Sequence, residues 1–101
     1  MISEKHLEAI KKVLNMESQR DPFRRYAILA MQIADVGECI EYMKAYPKDV
    51  AIFKVELKTS LSDLLAQTLV MAVLYDINPN EMLELGILRL EEFKKKGGFK
   101  E

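Results

Sequence analysis

The chain has 101 residues, of which 50% are hydrophobic and 31% charged, with a formal net charge of -1. That length supports one domain spanning 1–101, and the composition is that of a folded globular chain rather than a disordered one. Near-neutrality removes any bulk electrostatic reason to bind a nucleic acid polymer or an anionic membrane.

Residues 3 to about 18 read as an amphipathic helix. Leu7, Ile10 and Leu14 share one face, while Lys5, Glu8, Lys11 and Lys12 mostly face water. His6 reads as a solvent-facing residue of that helix, since no second His or Cys stands at metal-ligand spacing from it. The first residues contain no apolar run of the signal-peptide kind, which leads to the expectation of a cytoplasmic protein.

Asp21-Pro22 is a helix start, with Asp21 as N-cap and proline in the first turn. The second helix runs to about Ala45, where Tyr46-Pro47 ends it. Ala27, Ala30, Ala34 and Gly37 recur along it, and such small side chains allow a neighbouring helix to approach closely. Cys39 has no partner for an internal disulfide and reads as a small core residue, with a reactive thiol as the alternative.

Asp49 is the expected cap of a third helix over 50–76. Its second half, from Leu64 to Tyr75, is apolar nearly all round and is expected at the centre of the fold or in a subunit interface. That run is interrupted by Gln67 and Thr68 and is too short to span a bilayer. Asn78-Pro79-Asn80-Glu81 starts a fourth helix, with Asn78 as N-cap and Glu81 as its capping-box partner. Met82, Leu83, Ile87, Leu90 and Phe93 are its expected inward face, and Lys94 to Lys96 followed by Gly97-Gly98 form its end. No segment alternates with period two, so the expected architecture is all-α, a four-helix bundle.

Two acidic runs stand out against this scaffold. Asp35 and Glu38 are one turn apart on the second helix, with Glu41 at the edge of their face. Glu56, Ser60, Asp63 and Gln67 form a stripe on the third. A short connection makes these helices antiparallel, so the two runs can face each other across one pocket. Carboxylates are costly in an apolar setting unless paired or bound to a cation, and a hard ion such as Mg²⁺ takes oxygen ligands of this kind. The alternative is ordinary solvation, with Glu41 and Glu56 exposed and Asp63 at a rim.

The order of these features resembles the MazG-like all-α nucleoside triphosphate pyrophosphohydrolases over about residues 24–96. Ile33-Ala34-Asp35-Val36-Gly37-Glu38-Cys39-Ile40-Glu41 is similar to the family's first acidic motif, and Ser60-Leu61-Ser62-Asp63-Leu64-Leu65 to its second. Tyr75-Asp76-Ile77-Asn78-Pro79-Asn80-Glu81 resembles the turn that follows. The resemblance implies Mg²⁺ held by Asp35, Glu38 and Asp63, with Glu41 or Glu56 as general base. It implies phosphate contacts from Arg89, Lys94 and Lys95, and hydrolysis of a nucleoside triphosphate to monophosphate and pyrophosphate. A homodimer or homotetramer is the implied assembly. Two positions depart from the pattern: Asp35 stands where the family has Glu, and Ser60 where it has a second glutamate. A serine hydroxyl is a neutral, poor substitute for a carboxylate at Mg²⁺. The competing reading is therefore a catalytically silent relative that binds nucleotide or protein. A third is a helix-turn-helix using Arg20, Arg24 and Arg25, disfavoured by the charge balance.

Overall fold

The computed structural model describes residues 2–98; the ends of the predicted domain, Met1 and 99–101, lie outside the described residues. It contains α1 (Glu4–Leu14), α2 (Pro22–Ala45), α3 (Val50–Leu74) and α4 (Pro79–Lys95), with no strand among the described residues. Short 3₁₀ turns at Glu17–Arg20 and Pro47–Asp49 lead into α2 and α3.

Local chemistry accounts for most of the boundaries. The Asp21 side chain accepts from the Phe23 N–H, and the Asn78 side chain accepts from the N–H groups of Asn80 and Glu81. Each satisfies helix N–H groups that lack an intrahelical partner. At α1 the capping box is one the sequence reading missed. Ser3 Oγ accepts from the His6 N–H, and the Ser3 N–H points back to His6 Nδ1, so His6 is a capping residue rather than a bystander. Asp49 corrects a second expectation, because its side chain makes no cap hydrogen bond. The chain enters α3 already coiled in a 3₁₀ turn, with the Asp49 N–H bonded to Tyr46 O at 2.9 Å.

Stops are equally local. α1 ends at Leu14, short of the expected 18, where Arg20 Nη1 donates to the Leu14 carbonyl at 3.0 Å. Asp76 follows α3 at φ 55°, a left-handed conformation that Asp tolerates, and lets the Ile77 N–H reach Ala72 O at 2.8 Å. Gly97, at φ 74°, closes α4 in the same manner, with the Gly98 N–H on Phe93 O at 2.9 Å.

The best-packed part of the chain is the antiparallel α2–α3 hairpin. Its register is fixed at three levels. Arg25 reaches Gln67, Cys39 Sγ lies 3.7 Å from Ser60 Oγ, and Tyr42 stacks on Phe53 with ring centroids 5.4 Å apart. The face of α2 turned inward is Arg25, Leu29, Gln32, Val36, Cys39 and Met43, all buried or half-buried. The small residues Ala27, Ala30, Ala34 and Gly37 are instead exposed, and a Cβ added to Gly37 would meet nothing within 4 Å. No helix of this chain uses that stripe. α1 lies against α3, and its start is tied to α4 by Asn80, which accepts from the Ile2 N–H at 3.1 Å and donates to Ile2 O at 3.3 Å.

Bundle packing is only partial, because α4 lies along α3 sparsely. Of its expected inward face, Met82 is half-buried while Leu83, Ile87, Leu90 and Phe93 stay about half exposed. Among the described residues the buried apolar side chains are Cys39, Val70 and Ala72, with Pro79 at the start of α4, a small core for this length. The contiguous helical run Pro47–Leu74 has a window of mean hydropathy 1.3 and is long and apolar enough to cross a membrane by length and composition. The expectation of a shorter run counted only 64–75; the few residues before Leu64 extend it, with no more than two charged side chains in the window.

Candidate functional site

The α2–α3 register carries three of the five predicted carboxylates to one place. Asp35 and Glu38 of α2, one turn apart, share a groove of about 330 Å³ with Glu56 of α3. Tyr42, Thr59 and Ser60 line the same groove, and the Cys39–Ser60 contact closes its floor. The mouth is open to solvent, since Asp35, Glu38 and Glu56 are all exposed.

The other two carboxylates lie elsewhere. Glu41 is six residues beyond Asp35, which rotates it away from the Asp35 side of α2, and it does not line the groove. Asp63 keeps the helical phase of Glu56 but sits two turns farther along α3, about 10 Å by helix rise. It is exposed and lies beyond the groove's lining. Arg89, Lys94 and Lys95 are exposed on α4, and none of them lines the groove.

No ion pair among the described residues engages the carboxylates of the groove. The one ion pair among the described residues is Lys11–Glu8 on α1, at 3.4 Å. Glu38 instead meets Tyr42, one turn away on its own helix. The negative charge of Glu38, then a hydrogen bond with it, hold the Tyr42 phenol above the ordinary tyrosine range. The i, i+4 spacing of Glu38 and Tyr42 is a signal from which this pairing was readable. In Glu38→Gln the Tyr42 ring should titrate closer to the ordinary range, followed by NMR of the ring or by ultraviolet difference against Tyr42→Phe. An unchanged Tyr42 titration in that variant would contradict the assigned cause.

By donor type the groove suits a hard cation. Mg²⁺ is commonly bound by one or two carboxylates completed by water and substrate phosphates, and Asp35 with Glu38 supplies that number. Among the described residues no three of His, Cys, Asp and Glu converge as a metal-holding group, so an all-protein cage is not formed.

Near the start of α2, away from the groove, lies a second polar feature that sequence reading did not identify. Arg25 is 4% exposed, with its guanidinium bonded to Gln67 Oε1 and, at 3.3 Å, to Gln19 Oε1. Burial, then the charge of neighbouring Arg24, lower its pKa. Its Nε, and Gln32 Oε1 on the same face of α2, are buried without hydrogen-bond partners among the described residues. Arg25 is thus taken out of any surface for nucleic acid, and Arg20 is engaged at the end of α1. Compared with known proteins, the chain matches no family model, no curated protein and no solved structure.

Proposed function

We propose that this chain is a cytoplasmic, magnesium-dependent nucleoside triphosphate pyrophosphohydrolase of the MazG-like type. On this reading its four helices are a MazG-like bundle completed by self-association into a homodimer or homotetramer. The observation that carries the reading is that Asp35, Glu38 and Glu56, from two antiparallel helices, line one solvent-open groove in which no ion pair among the described residues engages them.

Asp35 and Glu38, one turn apart on α2, would hold the cation at the edge of the groove. Tyr42 stands one turn from Glu38, whose negative charge acts on its phenol. A bound magnesium ion supplies charge neutralisation and polarisation of a phosphate oxygen. Glu56, which lines the groove from α3, would take a proton from the attacking water, the role the resemblance gives to Glu41 or Glu56. Water oxygen then bonds to the α-phosphorus as the bond to the bridging oxygen of the β-phosphate breaks, giving monophosphate and pyrophosphate. Asp63, Arg89, Lys94 and Lys95 lie outside the groove and have no step in this scheme.

Incubation with a panel of ribo- and deoxyribonucleoside triphosphates and Mg²⁺ should release pyrophosphate and the matching monophosphate from at least one. No pyrophosphate from any of them at high protein concentration overturns the proposal. A second reading, a silent nucleotide-binding or interaction module, is favoured by Ser60 standing in the groove where a carboxylate would complete the set. It predicts a nucleotide-dependent rise in melting temperature without turnover.

A further inference from the structure

We infer that the outward face of α3, from Ala51 to Leu65, docks an acidic amphipathic helix of another protein along a heptad seam that carries Lys54 and Lys58. This stands independently of the proposed chemistry and of the proposed self-association. Seven-residue recurrence marks the seam. Ala51, Lys58, Leu65 and Ala72 lie at successive steps of seven, and Lys54, Leu61 and Thr68 follow them by three. That is the pattern by which one helix packs along another. The far end of the seam is already used in this way by the chain itself. Ala72 is buried, Thr68 and Leu69 are half-buried, and Leu69 lines one groove with Met82 and Gly86 of α4.

The near end has no such cover. Ala51, Lys54, Val55, Lys58, Leu61 and Leu65 are all exposed, Val55 by 67%. They line an open channel of about 640 Å³ to which, among the described residues, only α3 contributes. A channel with a single helical wall lacks the concave enclosure that buries most of a small ligand. What it offers is a row of ridges and gaps for the side chains of another helix. From Ala51 to Leu65 the seam runs about 21 Å by helix rise, room for about four turns of a partner.

Charge selects the partner. The residues lining the channel include two cations, Lys54 and Lys58, and no carboxylate. Neither lysine is in an ion pair among the described residues. Ser60 and Gln67, which meet α2, and the groove carboxylate Glu56 lie on the far side of the helix. A lysine covered at a seam position is costly unless a carboxylate meets it, and charges at such positions choose the partner of a helix pair. α3 of a second copy would bring lysines to the same seam and no counter-charge. The fitting occupant carries apolar residues against Leu61 and Leu65, and Asp or Glu against Lys54 and Lys58. An anionic bilayer is the poorer cover. Lipid surfaces are met by clusters of about four or more basic residues, and this channel offers two.

The test uses the full chain and synthetic three-heptad helical peptides with leucine at the seam positions. A pair of seam leucines is replaced by glutamates at one end or the other, which probes both orientations. Matched peptides carry lysines in place of the glutamates, and phosphatidylserine vesicles form the lipid arm. By fluorescence anisotropy, the glutamate peptide of one orientation should bind about tenfold or more tighter than its lysine match. The double variant Lys54→Glu with Lys58→Glu changes only exposed side chains. It should keep its helical circular dichroism and its mass in light scattering, and reverse the peptide preference. Equal affinity for matched peptides, no binding of any, or an unreversed preference in the variant each overturns the inference. Binding to vesicles and not to peptide overturns it in favour of a lipid surface. A changed mass in the variant overturns it in favour of a second copy of the chain.

Discussion

Glu38→Gln should lower turnover of the nucleoside triphosphate by roughly 10²–10³-fold, the scale on which removal of one preorganised electrostatic group acts. The substitution keeps the shape of the side chain and its helix propensity, so α2 is preserved and melting should move little. What disappears is negative charge at a groove edge that no ion pair among the described residues engages. Glu41→Gln, three residues away but outside the groove, is the matched control and should leave most activity. Steady-state kinetics on both variants at saturating Mg²⁺ decides the assignment. Equal losses in the two, or a greater loss in Glu41→Gln, would show that the reacting centre is not the groove formed by Asp35, Glu38 and Glu56.

The second large effect concerns stability. Gln67→Leu places more apolar surface in the α2–α3 seam, yet should destabilise the protein by about 2 kcal/mol, the scale of a lost hydrogen bond to a charged group. The cause is Arg25, whose guanidinium would remain buried with only Gln19 as acceptor. In a domain of this length that corresponds to a fall of roughly 10 °C in Tm. Arg25→Met should cost much less, since removing a buried charge together with its desolvation is often neutral. In the double variant, Gln67→Leu should become nearly harmless. Thermal melts of the four proteins at one fixed concentration measure this coupling, and a Gln67→Leu variant more stable than wild type would refute it.

Features decided within one helical turn were legible in the sequence. Asp21-Pro22 and Asn78-Pro79 start helices as read, and Gly97 ends one, because each satisfies or frees backbone groups a few residues away. The facing of α2 and α3 was also readable, from a connection too short for any other arrangement. Legibility failed where a partner had to be identified. Ala27, Ala30, Ala34 and Gly37 allowed a close neighbour that this chain does not provide, and Leu83, Ile87 and Leu90 predicted an interior that it leaves open. Periodicity tells that a face wants cover without saying whose. Asp63 failed for a different reason: helical phase placed it with Glu56, but two turns of rise carried it past the end of the groove. Arg25 was invisible because charge in a sequence reads as surface, and only the Gln19 and Gln67 acceptors make its burial tolerable.

The clasp between Ile2 and Asn80 has a thermodynamic consequence. Ile2 is held by its own backbone to the side chain of Asn80, and its side chain also lines the groove between α3 and α4. Order at the beginning of the chain and occupancy of that groove are therefore linked quantities. An occupant that packs on the Ile2 side chain would favour the clasped state, and by reciprocity a change that loosens the clasp would weaken that occupant by the same factor.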